Sequence, residues 1–165
     1  MNALAFYLLS AAAIFSTLMA ISRRELIHAV VYLVLSFFSL ALIFFMMGAP
    51  LIAALEVLIY AGAIMVLFLF IVMMLEMGAA KIPLTPFRKV WGPAVVIAAV
   101  IFFSMAILFF GTPQTAVSPM TAFVSPRRFG QALYTKYYLA VEAVSLLLLF
   151  ALVGALYLGK RDNNP

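Results

Sequence analysis

Apolar residues fall along the chain in five long runs, and the segments between and after these runs hold the basic residues and most prolines. The runs cover approximately residues 3–21, 28–47, 51–75, 92–110 and 138–158. A helix needs about 20 mostly apolar residues to cross a bilayer. None of the runs alternates with the period of two that is typical of membrane barrel strands. Backbone groups in hydrocarbon need partners within their own segment, so the pattern predicts an all-α integral membrane protein with five transmembrane helices.

The connections between the runs differ in length and charge. The segment "GAP" after the second run is very short, which predicts a tight helical hairpin between spans two and three. Residues 111–137 are rich in Pro, Ser and Thr and are expected to form a long loop. Residues 1–165 are therefore interpreted as one membrane domain.

Basic residues predict the orientation of the spans, because Lys and Arg in short loops stay in the cytoplasm. Loop 111–137, which is long and so counts less, has only three basic residues. The opposite side of the membrane receives Arg23, Arg24, Lys81, Arg88, Lys89, Lys160 and Arg161. The N-terminus is expected outside, the C-terminus inside, and loop 111–137 outside.

Composition supports a membrane protein and excludes several kinds of site. The chain is 68% hydrophobic and 9% charged, against about 45–50% and 25% in soluble domains. It has no cysteine, which excludes disulfides and thiolate-held clusters within the chain. One histidine, His28, cannot build a metal site alone. We therefore expect no metal site and no cofactor-binding site in the chain. We also expect no nucleic-acid binding, since the basic residues of the loops account for the net charge of +5.

Three polar residues lie inside predicted spans. Glu56 and Tyr60 are four residues apart in span three and share one helix face, and Glu142 lies in span five. Tyr60 is interpreted as the tyrosine that lies deep in a span. All Lys and Arg residues fall outside the five runs, so Glu56 has no evident cationic partner in its own bundle. A charge in a bilayer costs about 2.5–3.5 kcal/mol on insertion scales, which makes both acids candidates for proton handling. Alternatives are stabilisation by the helix dipole and a structural hydrogen bond.

The small residues Ala61, Gly62 and Ala63 follow Tyr60 and allow two interpretations. Small residues in membrane helices commonly let another helix approach closely. The alternative is a helix irregularity, because Gly weakens a helix and π-bulges often mark functional sites. The residues alone favour close packing, which is the more frequent role of small residues in membrane helices.

Span three, "ALEVLIYAGAIMVLFLFIVMML", closely resembles the third helix of the subunit J family of respiratory complex I, the proton-pumping NADH:quinone oxidoreductase. "HAVVYLVLSFFSLALIFFMMGAPLIAALE" resembles that family's second helix and turn. "FGQALYTKYYLAVEAVSLLLLFALVGALYLGKR" resembles its fifth helix.

The resemblance implies a membrane-arm subunit of the bacterial cytoplasmic (inner) membrane that couples quinone reduction to proton translocation. It implies a π-bulge around Tyr60 to Val66, which favours the irregularity over simple packing. Glu56 and Tyr60 would line a hydrated path, Gly62 would permit the bulge, Met65 and Val66 would form its apolar gate, and Glu142 would add polarity.

The resemblance also places the redox groups and partners elsewhere in the complex. FMN, iron–sulfur clusters and quinone are expected in other subunits. The partners would be the quinone-chamber subunit, the antiporter-like subunits, small neighbouring subunits and the lipid bilayer. Two alternatives remain at this point: a subunit of a related cation/proton antiporter or membrane-bound hydrogenase, and a purely structural membrane spacer. A self-contained enzyme is not expected, because no nucleophile–base or metal constellation is present.

Overall fold

The computed structural model describes residues 2–23, 25–76, 87–110 and 124–160, which are almost entirely helical. Arg24, Lys81 and Arg161, which contribute to the predicted orientation, lie outside these ranges, as do residues 111–123 of the predicted loop 111–137. The helices are α1 (Asn2–Ser22), α2 (Leu26–Met46), α3 (Pro50–Leu55), a π-helix (Glu56–Ile64, the π segment), α4 (Met65–Glu76), α5 (Phe87–Phe110), α6 (Pro126–Thr135) and α7 (Tyr138–Gly159). They form two compact units, residues 1–123 and 124–165, and each is described by itself.

The predicted all-α membrane architecture is confirmed. Within the described ranges, four helical stretches are long and apolar enough to cross a membrane: Ala3–Ser22, Leu26–Met46, Pro50–Leu75 and Tyr138–Gly159. The third of these runs without interruption through α3, the π segment and α4. The apolar part of α5 that is described, Gly92–Leu108, is shorter.

Helix α2 is the centre of the first unit, because α1, α3, α4, α5 and the π segment all pack against it. Two clusters of buried side chains share this helix. Tyr32 of α2 packs with residues of α1 and α5 such as Ala12 and Ile97. Val30 of α2 packs with Met65 and Val72 of α4. The third span is thus held on the same helix that holds the first.

Hydroxyl groups join α1 to α2 within their interface. The Ser16 hydroxyl donates to the backbone carbonyl of Tyr32, and the Thr17 and Ser36 hydroxyls lie 2.8 Å apart. Ser16 and Ser36 are buried. Interhelical hydrogen bonds and close approach at small residues stabilise helix pairs where lipid gives no hydrophobic driving force.

The predicted tight hairpin between α2 and α3 is present, and Gly48 makes it possible. Gly48 has φ of +80°, in the left-handed region that ends many helices at glycine. The Gly48 N–H donates to the Phe45 carbonyl at 3.1 Å, and the Ala49 N–H donates to the Phe44 carbonyl at 3.0 Å. Pro50 then begins α3, where its missing N–H costs no helical hydrogen bond.

The prediction of a loop throughout 111–137 is wrong for residues 126–135, which form α6. Ser125 has an extended backbone, and its hydroxyl accepts a hydrogen bond from the Arg128 N–H at 3.3 Å. Pro126 occupies the first turn. A serine cap followed by proline is a recognised helix start. The content of Pro, Ser and basic residues concealed it, because α6 is too short and too polar to resemble a span.

Candidate functional site

The π segment lies in the middle of the third span, and its ends can be located from backbone hydrogen bonds. At its start, the Glu56 N–H still donates to Ile52, four residues back, as well as to Ala53. At its end, the Met65 N–H donates to the carbonyls of Tyr60 and Gly62. Nine residues therefore lie in a wider helical turn than the α-helices on either side, a feature that is rare and concentrated at functional sites.

The resemblance predicts the irregularity over Tyr60 to Val66. The π segment covers Tyr60 to Ile64 of this range and begins earlier, at Glu56, whereas Met65 and Val66 belong to α4. Hydropathy could not have located its start, because five-back and four-back hydrogen bonding are compatible with the same apolar composition.

Glu56 is the first residue of the π segment, and Tyr60 is its central residue. The Glu56 side chain is half-buried, and no residue in the described ranges forms a hydrogen bond or an ion pair with its carboxylate. The Tyr60 ring packs against Phe37 of α2, with ring centroids 5.5 Å apart, yet Tyr60 keeps 47% of its surface exposed. A carboxyl group and a phenol on one side of a membrane helix can exchange protons with water or with groups on a partner chain.

Gly62 is the residue of the small cluster for which the absence of a side chain matters most. A Cβ at Gly62 would lie 3.1 Å from the carbonyl oxygen of Val57, five residues back. A larger residue would crowd this turn unless the carbonyl moved by a few tenths of an ångström. Its neighbours differ in environment, since Ala61 is buried and Ala63 is exposed. In this cluster Ala61 therefore contributes packing, whereas Gly62 leaves room for the carbonyl of the preceding turn.

Met65 and Val66 follow the π segment and point to different environments. Met65 is 9% exposed and packs in the cluster with Val30 and Val72. Val66 is 62% exposed. The rotational setting of α4 thus determines which of these two apolar side chains contacts α2.

Glu142 lies in the second unit, on α7, and is exposed. Its backbone carbonyl accepts a hydrogen bond from the Ser145 hydroxyl at 2.8 Å. An ionisable side chain exposed on a helix that is otherwise apolar all round requires water or another protein chain beside it in a membrane.

The sequence interpretation took Tyr60 as the tyrosine deep in a span and used Arg23 only for the orientation, so it missed the pair that Arg23 forms with Tyr32. Tyr32 lies inside α2 and is 1% exposed. Arg23, at the end of α1, donates to the Tyr32 hydroxyl at 3.2 Å, and its guanidinium lies 5.1 Å from the centre of the Tyr32 ring. The signal that could have found them is their spacing across the short "SRREL" turn, which brings the end of α1 beside the first turns of α2.

The described residues contain no cluster of three His, Cys, Asp or Glu side chains that could hold a metal ion. Within the third span, the described residues bring together a carboxyl group, a phenol and a π-helical stretch of backbone.

These features define a polytopic α-helical membrane protein with an acid-bearing π-helical segment inside one span. The family model of NADH-ubiquinone/plastoquinone oxidoreductase chain 6 matches residues 16–158, and the chain therefore belongs to this family of complex I membrane subunits. The predicted membership is confirmed.

Named relatives agree with the family over nearly their whole length. The chain is 40% identical to NADH-quinone oxidoreductase subunit J of Pseudomonas aeruginosa over 163 residues, which cover 96% of each protein. It is 37% identical to the Escherichia coli subunit J, with 96% of this chain and 87% of the relative covered. It is 34% identical to the Rhodobacter capsulatus subunit J, with 97% and 82% covered.

Proposed function

We propose that this chain is a membrane-arm subunit in the bacterial cytoplasmic membrane and couples quinone reduction to proton translocation by a change of helical geometry in its third span. The proposal includes five spans, with the N-terminus outside and the C-terminus in the cytoplasm. Helix α5 would be the fourth span, because 24 residues extend about 36 Å at 1.5 Å per residue, against a hydrocarbon core of about 30 Å.

The observation that carries the proposal is the π segment itself, Glu56–Ile64, in the middle of a span. Five-back hydrogen bonding leaves the local backbone ladder imperfect, and such a defect is tolerated in a membrane only against protein or water. The exposed side of the segment, which includes Leu58 and Tyr60, would therefore face water or the neighbouring quinone-chamber and antiporter-like subunits. Small neighbouring subunits would cover the rest of the exposed side of the π segment. FMN, iron–sulfur clusters and quinone would be bound by other subunits.

Restoring four-back hydrogen bonds would shift the register of α4 by one residue. Successive residues of an α-helix are separated by about 100°, so α4 would rotate by roughly that angle. Met65 would leave its cluster with Val30 and Val72, and a neighbouring side chain such as Val66 would replace it. Glu56, at the start of the segment, and Tyr60 would stay with the fixed half of the span. The apolar gate residues Met65 and Val66 would thus rotate relative to Glu56 and Tyr60, which line the polar path.

Gly62 would make this change possible without a steric barrier. Its missing side chain leaves the Val57 carbonyl free to move between the two hydrogen-bonding patterns. Glu142 of α7, which is exposed on an apolar helix, would add polarity from the fifth span, as the family resemblance implies.

The test is Gly62→Val in the assembled complex, with Gly154→Val as the matched control. Gly154 lies within α7 with no atom near the position of an added Cβ. A β-branched residue at position 62 restricts χ1 and crowds the turn. We expect the Gly62 variant to assemble but to lose quinone-linked NADH oxidation and proton pumping together, whereas the control keeps both.

Normal turnover and pumping in an assembled Gly62→Val complex would reject the proposed switch and leave Ala61, Gly62 and Ala63 as a packing surface. If Gly62→Val prevents assembly, Gly62→Ala provides the milder change, and it should lower both activities in the same proportion.

A further inference from the structure

Helix α6 is joined to the apolar helix α7 by two residues, Lys136 and Tyr137. The Ala132 carbonyl accepts hydrogen bonds from both their N–H groups, at 2.9 and 3.2 Å. Tyr137 itself leaves helical geometry, with φ of −114° and ψ of 25°. Because α7 is long and apolar enough to cross a membrane, this tight turn keeps the end of α6 within a few residues of the bilayer surface.

The side chains of α6 divide into two faces at helical spacing. Phe129, Ala132 and Leu133 recur at three and four residues, which places them on one side of the helix. The opposite side carries polar and basic residues: Arg127, Arg128, Gln131, Tyr134 and Thr135. A short helix with an apolar side and a strongly polar side suits the boundary between lipid headgroups and acyl chains.

The charge of this segment is of one sign. Arg127, Arg128 and Lys136 are all exposed, and residues 124–141 contain no Asp or Glu. Exposed tyrosines flank the turn into α7 at positions 134, 137 and 138, as is common at membrane interfaces. The helix therefore offers cations and an aromatic belt at the level of the phosphates.

From these two faces and this charge we infer that α6 lies in the headgroup layer of the membrane and binds anionic phospholipids of the phosphatidylglycerol type. Phe129 and Leu133 contact the acyl chains, while Arg127, Arg128 and Lys136 bind headgroup phosphates. Arginine forms paired hydrogen bonds with phosphate oxygens. The inference uses residues 124–160 alone and does not depend on proton coupling in the third span.

The experiment uses the full chain in vesicles with a nitroxide label at a single introduced cysteine, because the sequence has no cysteine of its own. Leu133→Cys labels the apolar face of α6 and Gln131→Cys labels the polar face. Vesicles contain either phosphatidylcholine alone or phosphatidylcholine mixed with phosphatidylglycerol. The accessibility of each label to oxygen and to a water-soluble nickel complex reports its depth.

In the mixed vesicles we expect the position 133 label to favour oxygen and the position 131 label to favour the nickel complex. Replacing both arginines, Arg127→Gln with Arg128→Gln, should lower the equilibrium constant for binding of α6 to the membrane surface by about fivefold for each side chain neutralised. Lys160→Gln, at the other end of α7, is the control and should change neither label. Inorganic phosphate added to phosphatidylcholine vesicles should not reproduce the effect of phosphatidylglycerol.

Three results would overturn the inference. The first is a position 133 label that is water-exposed in both kinds of vesicle. The second is a depth that depends neither on phosphatidylglycerol nor on the two arginines. The third is equal shielding of both labels from oxygen and from nickel in the vesicles, which would mean that a protein surface covers α6.

Discussion

The Tyr60 ring of the π segment packs on Phe37 of α2, with 5.5 Å between ring centroids and an interplanar angle of 40°. This contact ties the wider turn to the helix that organises the first unit. Aromatic pairs in this geometry contribute about 0.5–1.5 kcal/mol beyond their buried area. Tyr60 is nevertheless 47% exposed, so one residue has both a fixed ring and a surface available to water or a partner.

Tyr60→Phe keeps the ring contact with Phe37 and removes only the hydroxyl group. We therefore expect the complex to assemble at nearly its normal level and to pump fewer protons per NADH oxidised. The measurement is proton uptake by inverted membrane vesicles divided by the NADH oxidised in the same interval, with the amount of assembled complex determined separately. Tyr157→Phe, which changes an exposed tyrosine near the end of α7, is the control. Equal pumping by both variants would mean that the Tyr60 hydroxyl is not required.

Glu56→Gln preserves the shape of a half-buried side chain that has no hydrogen-bond or ion-pair partner among the described residues. We expect proton pumping to fall more than assembly, because the amide cannot exchange a proton in the way a carboxyl group can. Glu25→Gln is the control, since Glu25 precedes α2 and pairs with His28 at 2.6 Å. If Glu56→Gln assembles and pumps like the unmodified complex, the carboxyl group has no required role and the structural-spacer hypothesis gains support.

Met65 and Val66 should differ strongly in their effect on stability. Met65→Ala removes a side chain that is 9% exposed and packed with Val30 and Val72. Replacing a buried Met by Ala costs about 2–5 kcal/mol. Val66→Ala changes a side chain that is 62% exposed and should alter stability by about 0.5 kcal/mol or less. The measurement is the free energy of unfolding of the full chain in detergent micelles, and similar values for the two variants would contradict the described setting of α4.

The helical spans were predictable because hydrocarbon imposes both their length and their composition. Leu26–Met46 and Tyr138–Gly159 agree with the apolar runs within a few residues. Helix α6 was not predicted, because its stability depends on a Ser125 cap and on two-sided patterning rather than on a long apolar run. The start of α6 is nevertheless indicated in the sequence by Ser125 followed by Pro126.

The candidate site was predictable in part, and for different reasons at different residues. Glu56 and Tyr60 stand out because polar groups are costly in a membrane. The start of the π segment at Glu56 could not be found from periodicity, since no side-chain pattern distinguishes five-back from four-back hydrogen bonding of the backbone. The short turn after α1 brings Arg23 beside the first turns of α2, but its hydrogen bond with the buried Tyr32 also depends on how α1 crosses α2, which the spacing alone does not determine.

The proposed orientation can be tested by single cysteines introduced into the cysteine-free chain. A cysteine at Asn2 should react with a membrane-impermeant maleimide in intact spheroplasts, and a cysteine at Asn163 should react only after the membrane is opened. The physical basis is the excess of Lys and Arg predicted on the cytoplasmic side. Labelling of position 163 from outside would contradict an arrangement of five spans.

The central claim is that the third span changes between five-back and four-back hydrogen bonding as the complex turns over. The most direct measurement is the distance from each backbone nitrogen of residues 61–65 to the carbonyl oxygens four and five residues back, in high-resolution structures of the complex at rest and during turnover. We predict five-back bonds in one state, four-back bonds in the other, and exchange of Met65 for a neighbour in the cluster with Val30. The same hydrogen-bonding pattern in both states would contradict the proposed switch.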